Sequence, residues 1–452
     1  MEKRANFGSK LGIILAAAGS AVGLGNVWRF PTEVGANGGA AFILVYVMCV
    51  ALLGLPLMVA EFIIGRHTHK NTADAYRQLA PGTPWVFQGY LGVFTSWFIL
   101  CYYAVVAGWT LKYLVESALG EVTKITESTA YFEMFTSHPI VPLGYMFASV
   151  MACHLVIVRG VQGGIERSSK LLMPMLLFIM VVLVATSVTM PGAGSGVAFL
   201  LHPDFSKITS DVVLSAMGQA FFSLSIAMGC LCTYASYFTD DAKLVKTAAS
   251  VAVIDTLVAI MSGFVIFPAV FSVTGVAPDA GPGLVFITLP KVFQAAFTGA
   301  PWLGAVFAFM FYLLLFLAAL TSMVSIHEPP TAFLIEHFGI TRHTATGIVT
   351  AVVIAVGTLC SMSFGPLRDV RPLFGLTFFD FFDFISAKIF LPVGGIIISL
   401  FTGWRLERTI ISDQLTNHGT QPVPQFLVST FIFIMKWVAP VAIALIFVYE
   451  LR

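Results

Sequence analysis

Apolar residues occur along this chain in long blocks, separated by short charged or Gly/Pro-rich breaks. Read against a crossing length of about 20 apolar residues, the blocks predict eleven membrane spans. They lie at 10–36, 40–66, 86–118, 141–158, 165–190, 212–238, 245–275, 300–336, 344–363, 376–404 and 425–449. The first block follows a polar, basic start and runs on to Arg29 without an Ala-x-Ala cleavage signal, so it reads as a span and not a removed signal peptide. The blocks at 86–118 and 300–336 exceed one straight crossing at 1.5 Å per residue, which predicts a tilted pair forming a scaffold. Two spans, five apart, are interrupted by small and polar residues. The first carries Gly19-Ser-Ala-Val-Gly23-Leu-Gly25-Asn26 and the sixth carries Phe221-Phe-Ser-Leu-Ser225-Ile-Ala-Met-Gly229. Paired interruptions of this kind point to an inverted-repeat transporter with its site at the membrane midplane.

Composition changes the picture only by exclusion. Over 452 residues, 58% are hydrophobic and only 10% charged, against about 25% charged in soluble domains. A net charge of +1 with no long basic run disfavours nucleic acid as a partner. The six cysteines fall in or near apolar blocks without zinc-like or CxxC spacing, so they read as free thiols packed among helices. If the N-terminus is inside, fourteen Lys and Arg residues collect at inner loops and helix ends and eight at outer ones. That bias predicts a cytoplasmic N-terminus, and an odd span count puts the C-terminus outside.

A helix broken in lipid exposes backbone donors and acceptors at several kcal/mol each unless something binds them. Carbonyls suit cations, and half-helix N-termini suit carboxylates. Taken alone, Gly19, Gly23 and Gly25 read as close helix packing. Asn26 and Arg29 just beyond them, and the second polar interruption at Ser223 and Ser225, shift the balance. The motif Gly19-Ser-Ala-Val-Gly-Leu-Gly-Asn-Val-Trp-Arg-Phe-Pro31, with Asn37-Gly-Gly-Ala-Ala-Phe42 and Gly54-Leu-Pro-Leu57, resembles the opening of the neurotransmitter:sodium symporter family. Gly218-Gln-Ala-Phe-Phe-Ser-Leu-Ser225 and Ala318-Ala-Leu-Thr-Ser322 resemble that family's sixth and eighth helices. The pattern is most similar to its bacterial eleven-span amino-acid transporters.

The resemblance implies an all-α polytopic membrane protein with a LeuT-type 5+5 inverted repeat, discontinuous first and sixth helices and eleven transmembrane helices. The whole of 1–452 would be one transporter domain, with a first repeat at about 8–190, a second at about 210–405 and an extra helix at about 425–449. It further implies a sodium-coupled symporter of hydrophobic L-amino acids, in a bacterial cytoplasmic membrane, with two sodium ions. One would be held by the Ala21 carbonyl, Asn26, Ser223 and Asp255, completed by the substrate carboxylate. The other would be held by the carbonyls of Gly19, Val22 and Ala318 and the hydroxyls of Thr321 and Ser322. Oxygen ligands suit a small hard cation. Without the partner carbonyls of the first helix, the hydroxyls of Thr321 and Ser322 read instead as bonded back to their own helix.

By the same resemblance the substrate carboxylate would meet the amides of Leu24 and Gly25 and the Tyr103 hydroxyl. Its ammonium would meet carbonyls near Ala21, Phe222 and Ser225. Ile99, Phe222, Met228, Ser322 and Ile326 would bound the side chain, although apolar residues in apolar helices are usually core. Met228 favours a broad range, aromatic amino acids included. Arg29 and Asp383 would gate the outer side. Arg4 and Glu336, with Phe7 and Tyr237 beside them, would gate the inner side, and each charge reads alternatively as a snorkelling helix-end residue. Asp255 is the most isolated intramembrane charge and would replace chloride, making chloride unnecessary. Glu61 is the second such acid, with a structural role as the equal alternative. Gly164 and Pro174 share the family spacing of a fifth helix able to unwind, where the plain reading is a proline kink. A proton-coupled carrier and a receptor or channel on the same scaffold are the competing classes. No catalytic motif favours an enzyme.

Overall fold

The computed structural model describes residues 5–273 and 283–451, and among these it is helical, with a single isolated bridge between Leu373 and Leu376 in place of any strand. Eight helices are long and apolar enough to cross a bilayer: Ala40–Thr68, Val86–Ala118, Val161–Val188, Leu244–Phe271, Pro301–Phe338, Arg342–Met362, Phe378–Arg405 and Gln425–Glu450. Two bent pairs raise the count to as many as ten. Lys10–Ala21 meets Gly25–Ala36 at 53°, and Ser128–Ser137 meets Val141–Ile157 at 77°. The remaining block, sixth in chain order, is split into Ser210–Ser223 and Cys230–Ala235, neither long enough to cross alone. Every apolar block read from the sequence therefore contains helix, and the breaks in the first and sixth fall where small and polar residues predict them.

Proline placement explains much of the local geometry. Five stretches, Gly25–Arg29, Val50–Gly54, Leu284–Thr288, Phe384–Phe390 and Ile434–Val438, are wound more loosely than an α-helix. Each ends two residues before a proline, namely Pro31, Pro56, Pro290, Pro392 and Pro440. A proline has no N–H to donate and its ring crowds the carbonyl four residues back. Widening the preceding turn relieves that crowding without ending the helix.

The two longest helices, Val86–Ala118 and Pro301–Phe338, pack against each other as the expected scaffold. Tyr113 and Tyr312, from these two helices, lie with ring centres 5.2 Å apart and planes tilted by 38°. Both hydroxyls donate to the Leu284–Thr288 turn, Tyr113 to the Phe286 carbonyl at 2.9 Å and Tyr312 to that of Val285 at 2.9 Å. The apolar segment Leu284–Ala296 is thereby pinned over one end of the bundle. It lies between the apolar blocks, as do the helices Thr72–Leu79, Ser128–Ser137, Ala193–Leu201 and Arg408–Leu415. All are too short to stand out as apolar blocks. The six cysteines are free and buried.

Arg66, near the end of Ala40–Thr68, is buried yet makes no ion pair. Its guanidinium donates to Gln414 Oε1 at 2.6 Å, the Gln414 carbonyl at 2.8 Å, Asn417 Oδ1 at 2.8 Å and the Ala242 carbonyl at 2.5 Å. One side chain thus joins three segments distant in sequence. Arg66→Met should leave these acceptors without their donor in a closed site and cost on the order of 3 kcal/mol. The check is a lowered thermal midpoint in detergent, with Arg77→Met as a control expected near wild type, because Arg77 is largely exposed.

Candidate functional site

The two helix breaks lie side by side. At the first, Val22 and Gly23 leave helical geometry, and Leu24 re-enters it ahead of the loosely wound Gly25–Arg29. At the sixth, residues 224–229 separate the two short helices, and Ser225 (φ 54°), Ala227 (φ 67°) and Gly229 (φ 75°) adopt left-handed backbone. That conformation costs an ordinary L-residue about 1–2 kcal/mol, so Ser225 and Ala227 need compensation. Ser225 donates its hydroxyl to the Ser20 carbonyl of the first helix at 2.7 Å. The Ala227 amide donates to Glu61 Oε1 at 2.7 Å. Glu61 is thus bonded to the unwound segment, one of the two roles its sequence position left open.

Beside the breaks sits a buried oxygen-rich cluster. Asn26 Nδ2 donates to Asp255 Oδ1 at 2.7 Å, to the Asp255 carbonyl at 3.1 Å and to Ser223 Oγ at 3.1 Å, while Asn26 Oδ1 accepts from the Gly23 amide at 3.0 Å. Ser223 donates to Asp255 Oδ2 at 2.8 Å, and the Tyr46 hydroxyl lies 3.3 Å from the same oxygen. Asn26, Ser223 and Asp255, three groups of the first expected sodium set, are therefore in mutual contact. Tyr46 was not singled out from sequence, where it is one tyrosine in an apolar run. Ser262, also missed, bonds the Asn26 carbonyl at 2.6 Å.

Members of the second expected set lie near one another. Ser322 Oγ donates to the Val22 carbonyl at 3.3 Å, and Thr321 Oγ1 bonds back to Leu317 and Ala318 at 3.0 and 3.1 Å. A β-carbon at Gly19 would lie 3.5 Å from Thr321 Cβ, so this glycine faces the eighth helix closely. The Leu24 amide donates to the Tyr103 hydroxyl at 3.2 Å. Ile99, Met228, Ser322 and Ile326 are buried around this point, and Phe222 and Tyr103 are half-buried. Ser96, on the third helix, is hydrogen-bonded through its hydroxyl to the Met228 carbonyl and so fixes the unwound chain against the scaffold.

The two sides of the site differ. On the side of the N-terminal segment, Phe7 is buried against Tyr234, Tyr237 and Phe238, and its amide donates to the Tyr237 carbonyl at 3.0 Å. Tyr237 bonds Glu328 at 2.7 Å, and Glu328 holds Arg342 through contacts of 2.6 and 3.0 Å. Glu328 is a third acid inside an apolar block and was passed over in the sequence reading. Its isolation just before Pro329-Pro330 was the available signal. Glu336 accepts from the amide and the side chain of Asn71 at 2.9 and 3.0 Å, and its expected partner Arg4 lies outside the described residues. Close by, Lys10 pairs at 2.8 Å with Asp241, whose carboxyl is held below its ordinary range, first by the Lys10 ammonium and then by the Thr239 hydroxyl.

Gly164 lies in the loosely wound Val161–Glu166 that opens the fifth helix, and Pro174 lies inside the helix that follows. A β-carbon at Gly164 would come within 2.0 Å of the Val156 carbonyl. The next acid, Glu166, accepts from the Gly8 amide at 2.6 Å and the Ser9 hydroxyl at 2.8 Å, tying the N-terminal segment to this turn. On the opposite side the expected Arg29–Asp383 pair is not formed in this structure. Arg29 contacts Glu450 at 3.2 Å and Glu33 at 3.9 Å, with its guanidinium 4.7 Å from the Phe222 ring centre. Asp383 bonds Tyr102 instead.

Comparison with known proteins agrees over nearly the whole chain. The profile of the Sodium:neurotransmitter symporter family matches residues 4–133 and 138–452. The chain is 37% identical to the uncharacterized sodium-dependent transporter YhdH of Bacillus subtilis (strain 168), over 99% of this chain and 97% of that protein. It is 32% identical to an uncharacterized sodium-dependent transporter of Haemophilus influenzae, over 100% of this chain and 99% of that one. The crystal structure of MhsT in complex with L-phenylalanine superposes with a TM-score of 0.88 at 41% identity, covering 99% of this chain and all of that one.

The close packing of the first helix break against the eighth helix yields a test. A β-carbon at Gly23 would sit 2.4 Å from Ser322 Oγ and 3.2 Å from the Tyr103 hydroxyl, whereas one at Gly25 would meet only the Phe222 ring edge at 3.1 Å. Gly23→Ala must displace both hydroxyls from the helix break and should weaken binding of sodium by at least about tenfold, or 1.4 kcal/mol. Gly25→Ala should cost less for sodium, since an aromatic side chain can swing away. Sodium titrations of the two variants check the ranking.

Proposed function

The chain belongs to the sodium:neurotransmitter symporter family, and from that membership we propose that it imports hydrophobic L-amino acids, aliphatic and aromatic, together with two sodium ions by alternating access. The family is one of sodium-dependent transporters and not of enzymes. The observation that carries the finer reading is the convergence of Asn26, Ser223 and Asp255 at the two helix breaks. The phenylalanine in the MhsT structure supports a substrate of this class.

In this reading the two five-helix repeats, about 8–190 and 210–405, carry the site between them. The first ion binds at the Ala21 carbonyl, Asn26, Ser223 and Asp255. The second binds at Gly19, Val22, Ala318, Thr321 and Ser322. The substrate carboxylate takes the Leu24 and Gly25 amides and Tyr103, and its ammonium takes carbonyls freed at Ala21, Phe222 and Ser225. The charges then balance without chloride, because Asp255 contributes the fixed negative charge. Arg29 with Asp383 closes the outer side, and Arg4, Glu336, Phe7 and Tyr237 the cytoplasmic side. Gly164 and Pro174 let the fifth helix unwind to release the second ion. The N-terminus is cytoplasmic and the C-terminus external in a bacterial inner membrane.

Proteoliposomes provide the test. Two sodium ions with a zwitterion carry two charges, worth about 4.6 kcal/mol at 100 mV, enough for roughly 10³-fold accumulation from the potential alone. Uptake of labelled phenylalanine should require sodium, be competed by large apolar amino acids, and ignore Asp, Glu and Lys, whose extra charge has no partner in the pocket. Accumulation that survives replacement of sodium by choline, and follows an imposed pH gradient, would instead favour a proton-coupled carrier. The observation in favour of that second reading is that Glu61 and Asp255 are buried with neutral hydrogen-bond partners.

Asp255→Asn separates the roles of this carboxylate. It should weaken sodium and substrate binding together, by at least about tenfold, if Asp255 ligates the ion and balances its charge. An absolute chloride requirement in the wild type, or unchanged sodium affinity in the variant, would rule this assignment out.

A further inference from the structure

The outer arginine has an acidic partner on the last helix. Arg29 Nη2 lies 3.2 Å from Glu450 Oε1, and both side chains are partly shielded, at 32% and 23% exposure. The residue is anchored through its backbone, and its carboxylate lies close to a neighbouring helix. Lys388 donates to the Glu450 backbone carbonyl at 3.2 Å, which anchors the end of Gln425–Glu450 to the tenth helix. Glu450 Oε1 also lies against the sixth helix, where a β-carbon at Gly218 would come within 3.3 Å of it. Asp383, on the same helix as Lys388, is bonded to Tyr102 and close enough to feel the charge of Arg29 without pairing with it. The guanidinium rests over Phe222, so the arginine has a fixed pivot and two carboxylates in reach.

We infer that Glu450 is a positioning residue for transport: it holds Arg29 away from Asp383 and so favours the open outer pathway, and closure transfers Arg29 from Glu450 to Asp383. This rests on the reading of Arg29 and Asp383 as the outer gate. A guanidinium with two competing carboxylates makes a two-state element, and its balance is set by the difference between the two contacts and not by either strength alone. Glu33, one turn along the first helix at 3.9 Å, stays with Arg29 in both states because the two share one helix face.

The test reads pathway access without any substrate. A cysteine is introduced as Ala387→Cys, about one turn deeper than Asp383, in a chain whose six native cysteines are buried. Its labelling by a polar thiol reagent is followed in purified, detergent-solubilised protein at saturating sodium. Glu450→Gln should slow labelling about two- to fivefold, the range for a part-exposed ion pair, and Asp383→Asn should speed it. In an Arg29→Gln background, Glu450→Gln should change nothing, because a double-mutant cycle isolates the pair. Glu450→Asp keeps the charge but falls short of Arg29, so it should also slow labelling, and it serves where the amide variant does not fold. An unchanged rate in either Glu450 variant, or the same slowing without Arg29, overturns the inference. Absence of sodium-driven uptake by the wild type would strike the transport reading while leaving this labelling result to stand or fall separately.

Discussion

A backbone amide or carbonyl left without a partner inside a bilayer costs several kcal/mol, and this fold places two such breaks next to each other. Everything around them serves to satisfy the groups they expose. Glu61 takes the Ala227 amide, Asn26 Oδ1 takes the Gly23 amide, Ser225 bonds across to Ser20, and Ser262 caps the Asn26 carbonyl. The polar side chains in an otherwise apolar interior are concentrated where the backbone cannot satisfy itself. A site for small charged solutes follows from that concentration, since the same oxygens that tolerate exposed amides can surround a cation.

The scaffold makes this arrangement precise enough to use. Ser96 on the third helix and Ser322 on the eighth each bond a carbonyl at a break, so the two longest helices hold the unwound segments from either flank. The N-terminal segment is fastened separately, through Phe7 to Tyr237 and through Gly8 and Ser9 to Glu166. Glu166 lies two residues beyond Gly164, so the N-terminal segment is tied directly to the loosely wound start of the fifth helix.

Much of this was legible in the chain. Long apolar blocks announce themselves, and the Gly- and Ser-bearing interruptions of the first and sixth stand out because small polar residues are costly in lipid without a purpose. What escaped was of two kinds. Short helices such as Leu284–Ala296 fall below the length of a crossing and never dominate a sequence window. Partners such as Tyr46, Glu166 and Glu450 depend on contacts between residues 158 to 421 positions apart, which no local pattern encodes. Glu328 is different, because an acid inside an apolar block is itself a signal, and it was overlooked beside the better isolated Asp255.

The loosely wound turns before five prolines also fix the azimuth of everything beyond them. A wide turn is one residue inserted into an α-helix, and each residue of an α-helix rotates the chain by about 100°. In the tenth helix the insertion at Phe384–Phe390 falls between Asp383, beside Tyr102 of the third helix, and Gly394 and Gly395, which pack against Ala227 and Phe221. Without it the two groups would be turned out of phase by more than a quarter revolution, and the helix could not present an acid to the third helix and a smooth glycine face to the sixth. The proline is thus a phase-setting device that lets one rigid rod address two neighbours at once.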